Sequence, residues 1–175
     1  MNQKLDHDHA ELDGLLHAAL AALADGALDR AFAPLDTFWA RLAVHIRAEN
    51  LHLFPALLGA AEESPQHMDA PPPGTVAEVI KRLRADHDYF MSELAAAMKA
   101  LRTMRRQDRP PVSPAELAGL RDLLDRISRR LADHNAVEET QAYRWVESLL
   151  DSAQQTNLAT NIQRELENLP ARMKK

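Results

Sequence analysis

Two segments of this chain place a histidine four residues ahead of a glutamate: His45-Ile46-Arg47-Ala48-Glu49 and His134-Asn135-Ala136-Val137-Glu138. On an α-helix that spacing sets the two side chains about 40° apart on one face and one turn along the axis. An imidazole nitrogen and a carboxylate oxygen so placed can bind one metal ion, or adjacent ions of a pair. In the second segment the same face is bracketed by Ile127, Leu131 and Trp145, so it is expected to point into a core. Burying a carboxylate beside an imidazole costs on the order of several kcal/mol unless the two are paired or metal-bound. One metal site accounts for both pairs at once.

Two further histidines complete a pattern. His9 follows Asp8, with Leu5 four residues before it and Leu12 and Leu16 three and seven residues after. His87 follows Asp86, with Leu83, Phe90 and Leu94 at the same offsets. The chain thus reads as two copies of one helical hairpin, in which His9 corresponds to His87, His45 to His134 and Glu49 to Glu138. The midpoint between His9 and His45 is Ala27, at the first turn, and that between His87 and His134 falls in the Arg109-Pro110 break. Residues equidistant from a hairpin turn lie at one level on antiparallel helices. His9, His45, Glu49, His87, His134 and Glu138 are therefore expected to meet in one layer as metal ligands.

Six ligands with carboxylates able to bridge suit two first-row ions better than one. Imidazole with carboxylate fits iron or manganese, and zinc on ligand type alone. The glutamates would bridge the ions and the histidines cap them through neutral nitrogens. Asp8, Asp86 and Asp133 each precede a candidate ligand and are candidate acceptors for ring N–H groups. Against that stands a solvated acidic face, because helix neighbours diverge by about 100°. His7 competes with His9 but sits two residues off the apolar register. His52, seven residues after His45, is an extra ligand or, in preference, a hydrogen-bond donor to the site; His17 and His67 read as surface or loop residues. Glu49 and His52 also spell the ExxH unit of ferritin-like sites, but the second copy needed has Gln141 in place of histidine.

The elements that must carry these groups are helices. Leu5, Leu12, Leu16, Leu20 and Leu23 trace a first stripe that ends near Asp25-Gly26. A second helix begins between Asp29 and Pro34, carries Phe38, Leu42, Val44, Leu53, Leu57 and Leu58, and should kink at Pro55. A loop from about residue 64 to 74 precedes the capping box Thr75-Val76-Ala77-Glu78, which opens a third helix through Val79, Ile80, Leu83, Phe90, Leu94, Met98 and Leu101. Ser113-Pro114-Ala115-Glu116 is a second capping box, opening a fourth helix through Leu117, Leu120, Leu124, Ile127, Leu131, Val137 and Trp145. Short first and third connections imply antiparallel neighbours. The expected fold is all-α: an antiparallel up-down four-helix bundle over residues 1–152. A short additional C-terminal amphipathic helix in 153–175, with Leu158, Ile162, Leu166 and Leu169, packs on the bundle or at an oligomer interface such as that of a homodimer.

Composition agrees. The chain has 175 residues, enough for one domain, and its 46% apolar content is mostly Leu and Ala with 5% aromatics. A net charge of −5 gives a nucleic-acid partner no electrostatic support. The absence of cysteine excludes disulfides, thiolate zinc sites and iron–sulfur clusters. No apolar run reaches the roughly 18 residues of a membrane span, and no apolar signal core follows Met1, so a cytoplasmic protein is expected. The basic run Lys99, Arg102, Arg105, Arg106 and Arg109 reads as a solvated helix end favoured by the macrodipole rather than a binding patch. Gly14, inside the first helix, could let a backbone or a small ligand approach the site.

A histidine, then HxxxE, the same again, and Leu53-Phe54-Pro55 after the first pair resemble the signature of the hemerythrin-like (HHE) family, over roughly residues 5 to 150. The resemblance implies a non-haem di-iron site with glutamate and solvent bridges, able to meet oxygen or nitric oxide. Relatives carry oxygen, sense oxygen or iron, or act in nitrosative stress and iron repair. Oxygen carriers place a second histidine where this chain has Met91, and their last carboxylate at the place of Glu139. The iron-repair branch carries an N-terminal cysteine module absent here. The expected function is binding or sensing of a diatomic gas by two iron ions, or iron handling under oxidative or nitrosative stress. Phe90, Met91, Leu12 and Leu131 would be the apolar walls. The alternative is an iron-responsive regulator or adaptor whose metal site is a folding switch. No nucleophile–base pair or phosphate loop points to an organic substrate.

Overall fold

The structure is a computed structural model that describes residues 2–63, 70–108 and 110–171. Its helices are α1 (Asn2–Ala24), α2 (Leu28–Ala48), α3 (Phe54–Glu63), α4 (Pro73–Met104), α5 (Pro114–Val137), α6 (Tyr143–Leu149) and α7 (Ser152–Leu166). Two π-helical turns, Glu49–Leu53 and Glu138–Ala142, fuse α2 to α3 and α5 to α6. Four rods result, and each of α1 and α4 packs between α2 and α5. This is the all-α, antiparallel bundle with a short additional C-terminal helix expected from the apolar stripes.

The turns differ in chemistry. Gly26, with φ +70°, ends α1 in a Schellman motif: Ala27 N–H donates to the Ala22 carbonyl at 2.8 Å and Gly26 N–H to that of Leu23 at 3.1 Å. The second hairpin opens its return helix with the Ser113–Glu116 capping box, in which the Ser113 hydroxyl accepts from Glu116 N–H and the Glu116 carboxylate accepts from Ser113 N–H. The Thr75–Glu78 box does not form. Pro72, extended at ψ 143°, is the N-cap in place of Thr75, and Pro73 takes the first helical position, which puts Thr75 inside the first turn. Helix α2 likewise starts at Leu28, and Pro34 in its second turn forfeits only the bond to the Arg30 carbonyl. His67 and Arg109 lie outside the described residues.

The kink expected at Pro55 is replaced by a π turn just before it, where Phe54 N–H donates to the Glu49 carbonyl. Proline is not its cause, since Tyr143 N–H donates to the Glu138 carbonyl at the equivalent place in a stretch without proline. Each π turn begins at the glutamate of an HxxxE pair. The extra residue rotates everything beyond it, so Leu53 and Ala142, eight residues after their histidines, are fully buried, while His52 and Gln141 at seven are not. The same rotation buries Val146 rather than Trp145 and Leu57 rather than Leu58.

Two apolar clusters fill the bundle. One, toward the hairpin turns, includes Leu12, Leu16, Phe38, Leu42, Phe90, Leu94, Ile127 and Leu131; the other, beyond the π turns, includes Leu5, Leu53, Phe54, Leu83, Tyr143 and Val146. Leu158 and Ile162 dock α7 onto α2 and the first π turn. The basic run closes the opposite end: Arg105 bonds Asp29 at 2.7 Å and stacks on Phe32 at 4.2 Å, and Arg102 lies 3.8 Å from Asp36. Among the described residues no helix is long and apolar enough to cross a membrane.

Candidate metal centre

Between the two apolar clusters lies a layer of polar side chains: His9 from α1, His45 and Glu49 from α2 and its π turn, His87 from α4, His134 and Glu138 from α5 and its π turn. Both glutamates are fully buried and the four histidines nearly so. Glu49, His87, His134 and Glu138 each offer a donor atom within 4.8 Å of the others, and so do His9, His45 and Glu138. Glu138 belongs to both groups.

All four imidazoles turn Nε2 inward. His9 Nε2 lies 3.2 Å from His45 Nε2 and 3.4 Å from Glu138 Oε2. His87 Nε2 lies 3.4 Å from Glu49 Oε2, and His134 Nε2 lies 2.9 Å from Glu138 Oε1. The outward nitrogens explain the orientation: His45 Nδ1–H donates to Asp8 at 2.8 Å, His9 Nδ1–H to Glu139 at 2.9 Å and His134 Nδ1–H to Asp86 at 3.4 Å. With the proton held on Nδ1, the Nε2 lone pairs of His9 and His45 face each other, which is repulsive unless a cation lies between them. Neighbouring donors on an octahedral ion, with bonds of about 2.1 Å, sit about 3 Å apart, close to these separations.

The aspartates act across each hairpin, not on the histidine beside them in sequence, and each is gripped by an arginine. Arg41 pairs with Asp8 and Glu11; Arg130 donates Nε–H to Asp86 at 2.7 Å and stacks on Tyr89 at 4.0 Å. Arg41 and Arg130, each four residues before the HxxxE histidine, and Glu11 and Tyr89 are equivalent positions in the two hairpins. Comparing the hairpins beyond the ligand letters could have revealed these arginines. Asp133, a candidate for a third such acceptor, is instead on the solvated face set against that role. Its helix turns it away from the layer that His134 enters.

Several buried atoms of the layer lack a hydrogen-bond partner: Glu49 Oε2, Glu138 Oε1 and both ring nitrogens of His87. The His134–Glu138 approach at 2.9 Å is close, but Glu138 Oε1 is not aligned to bond there. Buried polar atoms that converge without bonding one another suit a shared cation. Electrostatics points the same way. Desolvation lowers the pKa of the His45 imidazole, yet Glu49 and Asp8 hold it well above the ordinary value. Against the same burial penalty, Glu138 and Glu49 raise His87 to about 9. Burial pushes the Glu138 carboxyl up, but His134, His87 and His9 hold it well below its usual range. The layer draws positive charge to its centre, and protons and metal ions are alternative occupants.

One buried group had no sequence signal at ligand spacing. Tyr143, five residues past Glu138, is brought under it by the π turn and donates its hydroxyl to Glu49 Oε1 at 2.8 Å; the oxygen also lies 3.3 Å from Glu138 Oε2 and 3.2 Å from His9 Nε2. Burial, then Glu138 and Glu49, push its phenol well above the usual pKa, so it stays protonated. Its counterpart is Phe54, stacked on His87 at 5.6 Å.

Other candidates fall outside the layer. His7 is exposed and faces Glu11 at 3.6 Å. His52, turned out by the π turn, faces Glu165 of α7 at 4.0 Å, so it is neither a ligand nor a donor to the site. His17 is exposed and bonds its own helix at the Asp13 carbonyl. Gly14 lies on the outer face with open space around it, so it opens no approach to the centre. Leu12, Phe90 and Leu131 are buried beside the layer, and Met91 is half-buried.

Comparison with protein-family models, curated proteins and solved structures finds no match for this chain. The chain is a helical bundle with two buried His/Glu clusters able to coordinate metal.

Proposed function

We propose that this chain is a hemerythrin-like protein that holds two iron ions and uses them to bind or sense oxygen or nitric oxide, or to handle iron under oxidative or nitrosative stress. The observation that carries the reading is the convergence of four inward Nε2 atoms and the carboxylates of Glu49 and Glu138 in one buried layer. His87, His134, Glu49 and Glu138 would hold one ion, and His9, His45 and Glu138 the other. Manganese and zinc fit the same donors; zinc has no redox chemistry to offer a diatomic gas, and iron is the ion that the hemerythrin-like resemblance implies. When bound, the ions supply that redox centre. The chain's own part is to fix the imidazoles through Asp8, Asp86 and Glu139 and to exclude bulk water with Leu12, Phe90 and Leu131.

A second reading, an iron-responsive folding switch, is favoured by the buried charges that separate the two apolar clusters. Without metal this layer opposes packing on both sides. Circular dichroism and absorption spectra of the iron-loaded protein, before and after chelation and on cycling between dithionite and air, test both. Gas handling predicts a bundle that stays helical without iron and a spectrum that follows the gas; the switch predicts loss of helicity on chelation. A spectrum that responds to neither oxygen nor nitric oxide with iron in place contradicts gas handling.

A further inference from the structure

Helix α7 follows the second hairpin in the chain but seats itself on the first, against α2 and the first π turn. It starts independently of α6. Leu150 is extended at ψ 140°, and a capping box opens the new helix, with Asp151 N–H and Gln154 N–H each donating to the other's side chain at 2.8 Å. Of its own side chains Leu158 and Ile162 are buried. Grooves of about 290 Å³ beside Leu51 and His52, and of about 320 Å³ beside Asp8 and Arg41, flank it. An element so thinly packed opens more readily than the bundle beneath it.

What α7 grips is the ligand-bearing segment. Arg47 lies between His45 and Glu49 and turns outward; its Nε pairs with Glu165, and its Nη2 donates to the Asn168 carbonyl at 3.3 Å. His52, on the π turn that Glu49 begins, faces the other oxygen of Glu165 at 4.0 Å. Glu165 thus spans α2 and the π turn. The second hairpin has Ala136 and Gln141 at the places of Arg47 and His52, and Ala136 is exposed. The inward histidines and glutamates repeat, while the residues that meet α7 do not. Arg47 is two residues from each neighbouring ligand, so holding it fixes the roll of the helix that aims His45 and Glu49 inward.

We propose that Arg47 and Glu165 are positioning residues of the metal centre: they clamp α7 to segment 45–52, so that docking of α7 and occupation of the centre by metal favour each other. Linkage makes the effect reciprocal, with metal tightening α7 by the factor by which α7 tightens metal. The inference rests on the metal-binding reading. Titration of the full chain with ferrous iron against a competing chelator measures the affinity, and amide hydrogen exchange measures the docking. Arg47→Ala and Glu165→Ala should each weaken iron binding by about fivefold, and Ile162→Asp, which unseats the helix, by about 20-fold, within the range of about 5- to 150-fold usual for coupled sites. Arg47→Glu should weaken it as well, and adding Glu165→Arg should restore most of the affinity. Arg105→Ala, which removes the bond to Asp29 and the stack on Phe32 at the other end of the bundle, should leave it unchanged. In the wild type, iron should slow exchange in 152–166 more than in 94–101 of the opposite cluster. Unchanged affinity in the Arg47, Glu165 and Ile162 variants would overturn the proposal, as would exchange in 152–166 that iron slows no more than in 94–101. A wild-type chain that binds no iron sinks the metal centre and this coupling together; one that binds iron and shows neither effect sinks the coupling alone.

Discussion

The first hairpin, α1 with α2, and the second, α4 with α5, bring the same donors to the same depth by different means. The first turns at a glycine in the left-handed region and the second at a proline-rich break followed by a capping box. Both then insert a π turn that begins at the glutamate. What the hairpins share is the level of the ligands, the aspartate–histidine bond across the pair and the arginine behind it. What they do not share includes Tyr143 against Phe54 at the inner face of the layer and, on its outer side, Glu139 against Asn50 and Glu11 against Tyr89. The frame is built twice, and the two copies differ both beside the centre and at its outer side.

Removing glutamates breaks this comparison hardest. Glu138 faces His9, His87 and His134, whereas Glu49 faces His45 and His87 only, so Glu138→Ala should lower metal content more than Glu49→Ala. His134→Ala should lower metal content, and His17→Ala should leave it unchanged. Elemental analysis reads all four. Equal losses from Glu49→Ala and Glu138→Ala would contradict the unequal sharing.

The aspartates sharpen it next. Asp8→Asn and Asp86→Asn should each weaken metal affinity by about 10- to 100-fold in competition with a chelator. The Asp8 variant should be the worse, because its bond to His45 is 2.8 Å against 3.4 Å for Asp86 and His134.

Protonation distinguishes the metal-free from the loaded layer. His87, raised to about 9, adds stability fully below its unfolded value of 6.5 and loses it as pH rises through 9. Glu138, lowered, adds stability above its unfolded value of 4.5 and loses it in acid. Thermal melts of the chelated protein should therefore peak between about pH 4.5 and 6.5 and decline toward pH 9. The iron-loaded protein, whose histidines must be deprotonated, should hold its melting temperature over that alkaline range.

The smallest effects test the turns. Gly26→Ala forces an alanine to φ +70° and should cost about 1 kcal/mol, whereas Gly14→Ala, with open space around it, should add about as much. Ser113→Ala should cost about 1 kcal/mol through the lost cap. Urea titrations report each.

The helices, their antiparallel order and the level at which His9, His45, His87 and His134 meet could be read from periodicity and spacing, because both depend on regular geometry. The π turns could not, since nothing in Glu49–Leu53 or Glu138–Ala142 departs from ordinary helix-forming sequence. Their one-residue shift turns His52 and Trp145 away from the positions that a regular helix gives them and brings Tyr143 under the layer. The capping box at Thr75 failed for a nearer reason, the pair Pro72-Pro73 having already started the helix.

The most direct measurement is the metal content of protein purified without added metal and then titrated anaerobically with ferrous iron. Two tightly held irons per chain, lost from Glu138→Ala, are predicted. A chain that saturates at no more than one ion, or a Glu138→Ala variant that still holds two, would contradict a paired centre in this layer.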